Sequence, residues 1–277
     1  MILEVKNLMK RFVHFFYPRC LTCELPLLNI RSSQLFCELH LKELNDLNYR
    51  LNSSEQEPCP VCSERYCLPG FCFSRELIDG PIDRSISFFS FEGVLKNLLI
   101  RSKGGSSLLY EKTTLELFLK ELFFLLNSLN PIEFPNLIYG IPPSRLTRLG
   151  LSQKLALKTL SSCHSFGSNN TALIKDSFLK SLVSPFLKKK QSSLNYDERM
   201  ESYTKLHRKR IASKVRLRGS PRQEEIVHLW LIDDVLTTGA TSRTYAEVLK
   251  QMIQKKEEKP VSVTLITLAK KEKKKRS

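Results

Sequence analysis

Apolar positions along this chain change period several times, and each change predicts an element. Over residues 2–16, Leu3, Val5, Leu8, Met9, Phe12 and Phe16 recur near helical spacing, which predicts an N-terminal helix. Ile86, Phe88 and Phe91 alternate with Ser87 and Ser90 and predict a strand, followed by a helix over 92–101. Lys103-Gly104-Gly105 reads as a flexible break. Residues 108–129 form a long apolar helical stretch, with Leu115, Leu119, Leu122, Phe123 and Leu126 expected to face inward. Leu137-Ile138-Tyr139 predicts a short strand ending at Gly140, and 145–161 a helix. The stretch from 165 to 222 is polar, basic and irregular. Val227 to Ile232 predicts a buried strand, 241–256 a helix, and Val261 to Leu268 a last, β-branched strand. Strands alternating with helices predict an α/β fold around a parallel sheet.

Composition sharpens that picture. An apolar content of 42% over 277 residues can fill a real core, and no apolar run approaches the ~18 residues of a membrane span. The first residues break their apolar run with Glu4, Lys6, Lys10 and Arg11, unlike a signal-peptide core. A cytoplasmic location is expected. The net charge of +16 is concentrated. Residues 180–222 carry 13 Lys/Arg against 3 Asp/Glu, and residues 270–276 carry 6 Lys/Arg against 1 Glu. Such stretches attract polyanions through Coulomb forces and counterion release.

Seven of the eight cysteines fall between residues 20 and 72. They read Cys20-x2-Cys23, Cys37-x2-His40, Cys59-x2-Cys62, then Cys67 and Cys72. Without a secretory signal, metal binding is the better reading than disulfides. A Cys-x2-Cys turn offers two thiolates from one tight knuckle, and a second knuckle completes a tetrahedral zinc site. Cys20, Cys23, Cys37 and His40 form one such set, and Cys59, Cys62, Cys67 and Cys72 a second, less regular one. Exchange of knuckles between the two sets stays open. With every ligand used, zinc at either site is structural. His14 and Cys163 fall outside the pattern and read as packing residues. The chain divides into an N-terminal helix and metal module, 1–78, and an α/β domain, 79–277.

The most informative stretch runs from 229 to 241, Leu229-Trp230-Leu231-Ile232-Asp233-Asp234-Val235-Leu236-Thr237-Thr238-Gly239-Ala240-Thr241. Four apolar residues form a buried strand, and ligands of such sheets bind at the carboxyl ends of strands. Two carboxylates stand there, suited to accept hydrogen bonds from vicinal hydroxyls such as those of a ribose. Small, hydroxyl-rich residues then lead straight into a helix, whose amides and N-terminus can cradle a phosphate. Gly239 lets the backbone curl close to the anion. A diol grip beside a phosphate cradle is a ribose-phosphate site.

This segment resembles the signature of type I phosphoribosyltransferases, which bind phosphoribosyl pyrophosphate (PRPP). Over nearly its whole length the chain is similar to the ComF family, which joins a cysteine-rich zinc module to such a domain. The resemblance is carried by Phe89-Ser90-Phe91-Glu92-Gly93 followed by Lys103-Gly104, and by Pro142-Pro143-Ser144-Arg145-Leu146-Thr147-Arg148-Leu149-Gly150-Leu151-Ser152-Gln153. Gln191, Leu194 and Arg199 match a third block. The family has Arg where Leu149 stands, Asn where Ser152 stands and Asn where Ser202 stands.

The resemblance implies a phosphoribosyltransferase-like domain over 79–277, with Asp233 and Asp234 on the ribose hydroxyls. Thr237, Thr238, Gly239, Ala240 and Thr241 would hold the 5′-phosphate. It further implies Mg²⁺ entering with PRPP, and a cation that stabilises the leaving pyrophosphate, for which Lys103, Arg145 and Arg148 are candidates. Its members assist uptake of single-stranded DNA in natural transformation, which implies contact with such DNA and with a competence helicase. Two other readings stand beside this one, a nucleobase-salvage phosphoribosyltransferase and a non-catalytic module that binds zinc and nucleic acid. The zinc module and basic stretch are superfluous for salvage, and the intact acidic pair speaks against the non-catalytic module.

Overall fold

A computed structural model describes residues 19–25, 27, 35–48, 80–103, 108–130, 133–142, 150–168, 171–176, 215–216, 226–237 and 239–271. The expected helix over 2–16 and the boundary near residue 78 lie outside this set. So do Arg145, Arg148, Gln191, Leu194, Arg199 and most of the basic stretch.

Among the described residues, seven strands and five helices follow in chain order. They are α1 (Glu38–Asp46), β1 (Arg84–Ser90), α2 (Gly93–Lys103), α3 (Leu108–Ser128), β2 (Leu137–Gly140) and α4 (Leu151–Ser165). Then come β3 (Ala172–Leu173), β4 (Lys175–Asp176), β5 (Val215–Arg216), β6 (Val227–Leu236), α5 (Ala240–Glu257) and β7 (Val261–Lys270). Five strands make one sheet in the order β1-β7-β6-β2-β3, and every neighbouring pair in it is parallel. β4 and β5 form a separate antiparallel pair.

The expected α/β architecture with a parallel sheet is therefore present. Helix α1 was not foreseen, and β6 and β7 run past the expected ends at Ile232 and Leu268. Lys103, expected in a flexible break, is the last residue of α2. Helix α4 ends at Ser165, four residues beyond the expected 161.

Burial on both faces explains the near-continuous apolar strands. Along β6, Trp230 and Ile232 point to one face with Ile138, Ile266 and Leu268, under α2, α3 and α4. Leu229 and Leu231 point to the other, with Leu137, Tyr139, Val263 and Leu265, against α5. In α3, Thr114, Phe118, Leu122 and Leu126 are the buried stripe, and Leu115 and Leu119 are partly covered. Phe123, expected inward, is 54% exposed. A helix turns about 100° per residue, so the residue after Leu122 leaves the stripe. Its ring instead meets Phe166 edge-on, with centroids 5.4 Å apart.

The N-terminal unit packs into the same core: Cys20, Leu21, Leu27, Phe36 and Leu44 join the cluster beneath α2 and α3. The Glu43 carboxylate accepts from the Val94 N–H at 2.9 Å and caps α2. Asn48 donates to the buried Glu121 of α3 at 2.8 Å, and the Ser90 N–H donates to Leu47 O.

Winding direction decides where a ligand site can form. From β2 the chain passes through α4 to β3, at one edge. From β6 it passes through α5 to β7, stepping the opposite way. Right-handed crossovers then place α4 and α5 on opposite faces. Between β2 and β6 the sheet has a switch point, where the carboxyl ends of the strands open into a crevice.

Gly140 closes β2 at that crevice. A Cβ there would lie 2.7 Å from Ser152 O and from Gln153 Cα, and 2.9 Å from Ala156 Cβ. Helix α4 thus sits on the strand end as closely as a glycine allows. Gly140→Val is expected to push the helix away and destabilise the chain by about 1–3 kcal/mol. Urea unfolding measures this, and an unchanged midpoint would show that the helix has room to move.

Candidate functional site

Two clusters of reactive side chains stand out among the described residues. The first is a group of four metal-ligating side chains. Cys20, Cys23, Cys37 and His40 bring one ligand atom each within 4.8 Å of one another. A tight turn presents the first pair, with the Glu24 N–H donating to Cys20 O at 3.0 Å and Glu24 at φ 60°. Cys37 precedes α1 and His40 lies in its first turn. Three-residue helical spacing therefore puts both on one side.

Two of three separations lie close to those of a tetrahedral zinc site, and the third is shorter. Zn–S of about 2.3 Å and Zn–N of about 2.0–2.1 Å imply ligand atoms about 3.5–3.8 Å apart. Cys23 Sγ and Cys37 Sγ are 3.9 Å apart, Cys20 Sγ and His40 Nδ1 3.6 Å, and Cys37 Sγ and His40 Nδ1 3.0 Å. Burial raises the Cys20 thiol, but hydrogen bonds from the backbone at Cys23, Cys37 and Thr22 outweigh it and bring it down to about 6. A thiolate, the ligating form, is thus favoured there. The residues present fit a metal ion. The other expected set, Cys59, Cys62, Cys67 and Cys72, lies outside the described residues. Cys163 is buried within the core, where burial pushes its thiol up to about 12. A packing role suits it.

The second cluster occupies the switch point. Past Ile232 no described strand pairs with the edge of β6 facing β2: β2 ends at Gly140 and its last link is the Ile141 N–H to Ile232 O. Asp233 and Asp234 stand on this edge, both half-buried. Asp233 Oδ1 accepts from the Asp234 N–H at 2.9 Å and from Ser152 Oγ at 3.1 Å, and Oδ2 accepts from Ser242 Oγ at 3.3 Å. Ser152 is in the first turn of α4 and Ser242 in that of α5, so helices from opposite faces meet on one carboxylate.

Asp234 takes a different partner. The Lys103 ammonium, at the C-terminal end of α2, donates to Asp234 Oδ1 at 2.8 Å. Three residues expected to share a site, Asp233, Asp234 and Lys103, are thereby brought together from positions up to 131 apart in sequence. Thr237 is exposed beyond the strand end and Thr238 lies outside the described residues. Gly239 adopts φ 73°, ψ 0°, the left-handed region that favours glycine, and leads into Ala240, the first residue of α5. Thr241 is half-buried in the first turn.

Ser152 and Ser242 were missed as functional candidates. Ser152 figured only as a departure from a family pattern. The available signal was its place two residues after Gly150, whose N–H donates to Gln153 Oε1 at 3.0 Å and marks a helix start.

Burial drives the Asp233 carboxyl upward, the adjacent Asp234 charge adds to this, and its value reaches about 7 despite the Asp234 N–H, Lys103 and Ser152. A carboxyl so raised in a crevice marks a functional candidate. Chemically, the cluster offers carboxylate acceptors, one movable cation, and a left-handed turn at a helix N-terminus, together able to hold a polyhydroxylated anion.

Compared with known proteins, the chain matches no protein-family model and no curated protein. Among the described residues no helix is long and apolar enough to cross a membrane.

The raised carboxyl has a signed consequence. The folded chain keeps a proton that the unfolded chain, near 3.8, gives up. This contribution to stability is complete below pH 3.8 and is lost as pH rises through about 7. Asp233→Asn should therefore gain stability relative to the parent between pH 4.5 and pH 7.5. Urea unfolding of both at the two pH values checks it, and a pH-independent difference would remove Asp233 as the source.

Proposed function

We propose that this chain is a ComF-like protein with a phosphoribosyltransferase-like domain. It binds PRPP with Mg²⁺ at the switch point, carries structural zinc in its Cys/His unit, and assists uptake of single-stranded DNA. One observation carries the reading. An acidic pair lies near the carboxyl end of the central strand at a change of winding, shortly before a left-handed glycine and a helix N-terminus. Ribose hydroxyls are donors that a carboxylate pair accepts, and a 5′-phosphate is the anion that a helix N-terminus receives.

In this reading, Asp233 and Asp234 orient the ribose ring. Gly239, Ala240 and Thr241, together with Thr237 and Thr238, hold the 5′-phosphate. Loss of pyrophosphate from the ribose builds negative charge, which a cation offsets, and among the described residues Lys103 is a cation beside the acidic pair. Mg²⁺, which prefers oxygen ligands, supplies further charge neutralisation on the diphosphate. Sequence-independent contact with single-stranded DNA is assigned to the basic stretch within 180–222, through phosphate neutralisation.

The thiolate-rich Cys20, Cys23, Cys37 and His40 set favours zinc over harder ions. All four corners are protein ligands, so the ion holds structure and no open position remains for chemistry. Purified protein is expected to contain zinc, and Cys37→Ser should lower the content by one ion per chain. Elemental analysis finding no zinc in the parent would sink this assignment.

The ribose-phosphate assignment predicts PRPP binding in millimolar Mg²⁺. Replacing both Asp233 and Asp234 by Ala removes charge-assisted hydrogen bonds worth on the order of 1.5–3 kcal/mol each. Affinity should fall at least ten- to hundredfold. Titration calorimetry measures it. A double variant that binds as well as the parent would place the site elsewhere.

A further inference from the structure

The two carboxylates of the acidic pair are not equally available. Both oxygens of Asp233 already accept hydrogen bonds, from Ser152, Ser242 and the Asp234 N–H. Those donors belong to the first turns of α4 and α5 and to the strand, so Asp233 fastens the walls of the crevice. Asp234 has the Lys103 ammonium on Oδ1, and the Lys103 side chain is 47% exposed where that of Asp234 is 15% exposed. The outer partner is thus on the solvent side, and the carboxylate lies beneath it.

The ammonium covers Asp234 Oδ1 from the solvent side, so a diol that engages that oxygen from solvent takes its place. A neutral diol brings two hydroxyl donors but no charge. It would leave Asp234, beside Asp233, without its cation and the ammonium without its anion. A ligand that carries a second anionic group near the diol avoids this, because the ammonium can move from Asp234 to that group.

Lys103 is built for such an exchange. The turn of α2 that carries it is braced: the Arg101 guanidinium donates to Leu21 O at 3.2 Å and to the Tyr110 hydroxyl, and lies over the Tyr110 ring at 5.2 Å. The backbone is held while the flexible four-carbon stem of lysine is free to redirect a point charge.

We propose that Lys103 is a specificity-determining latch on Asp234, so that the crevice admits a ribose diol well only when the ligand also brings a diphosphate to receive the displaced ammonium. This rests on the ribose-phosphate reading and adds to it a rule about which ribose phosphates bind. Ribose 5-phosphate has the same diol and 5′-phosphate as PRPP and lacks the diphosphate. The latch therefore makes it a poor ligand for a reason separate from lost contacts.

Lys103→Gln removes the charge at similar side-chain length. Binding of PRPP and of ribose 5-phosphate in millimolar Mg²⁺ is to be measured by calorimetry on both proteins, with circular dichroism to confirm equal folding. Lys103→Gln should bind PRPP about tenfold more weakly and ribose 5-phosphate about three- to tenfold more tightly, two changes of opposite sign. A cation that only attracted phosphate would weaken both ligands. If the variant loses affinity for both, or leaves ribose 5-phosphate unchanged, the latch is overturned while the site reading survives. If the parent binds neither ligand, the site reading fails and the latch with it. As a control on charge alone, Lys103→Arg should keep the parent's preference for PRPP, and a parent-like preference in Lys103→Gln would overturn the latch.

Discussion

Strand β6 must satisfy two incompatible environments within ten residues, and the rest of the structure follows from how it does so. From Leu229 to Ile232 it lies between β7 and β2 with helices on both faces, and its side chains there are all apolar. Full burial of Leu229, Leu231 and Ile232 contributes about 1.5–3 kcal/mol each. From Asp233 onward no described strand pairs with the β2 side while pairing with β7 continues to Leu236. The strand is thus held rigidly on one edge. Carboxylates placed there are positioned by a sheet and not by a loop, which keeps their geometry defined.

The helices complete that arrangement. Close approach of α4 to Gly140 and the left-handed turn at Gly239 bring the first turns of α4 and α5 to the same carboxylate. A desolvated carboxyl would be unfavourable alone. Hydroxyls from Ser152 and Ser242 offset part of that cost, and Lys103 balances the neighbouring charge. The half-exposed ion pair contributes at most about 1 kcal/mol to stability. Its weakness is compatible with the exchange proposed for Lys103.

Among the described residues, the Cys/His unit reaches this site through α2. Glu43 caps the N-terminus of that helix, Leu21 O holds Arg101 in its last turn, and Lys103 ends it beside Asp234. Residues 20–48 therefore share the core of the sheet, with Leu21, Phe36 and Leu44 among its buried members. A metal ion that orders the knuckles also orders one wall of that core.

Period and punctuation along the chain were sufficient to determine the α/β class, most elements of the sheet, the Cys20, Cys23, Cys37 and His40 group, and the acidic pair before a glycine at a helix start. These are local features, written in side-chain alternation, knuckle spacing and turn chemistry. Phe123 escaped because a helical run that is apolar nearly all round does not reveal which stripe its neighbours cover. Helix α1 escaped because its short, charged stretch has little apolar periodicity. Tertiary structure alone decided that β2 and β6 adjoin at a change of winding. It alone decided that Ser152 and Ser242 meet on Asp233, and that Lys103 reaches Asp234 from 131 residues away. Those contacts depend on strand order and helix placement, which arise from packing between distant segments, and no pattern within either segment encodes them.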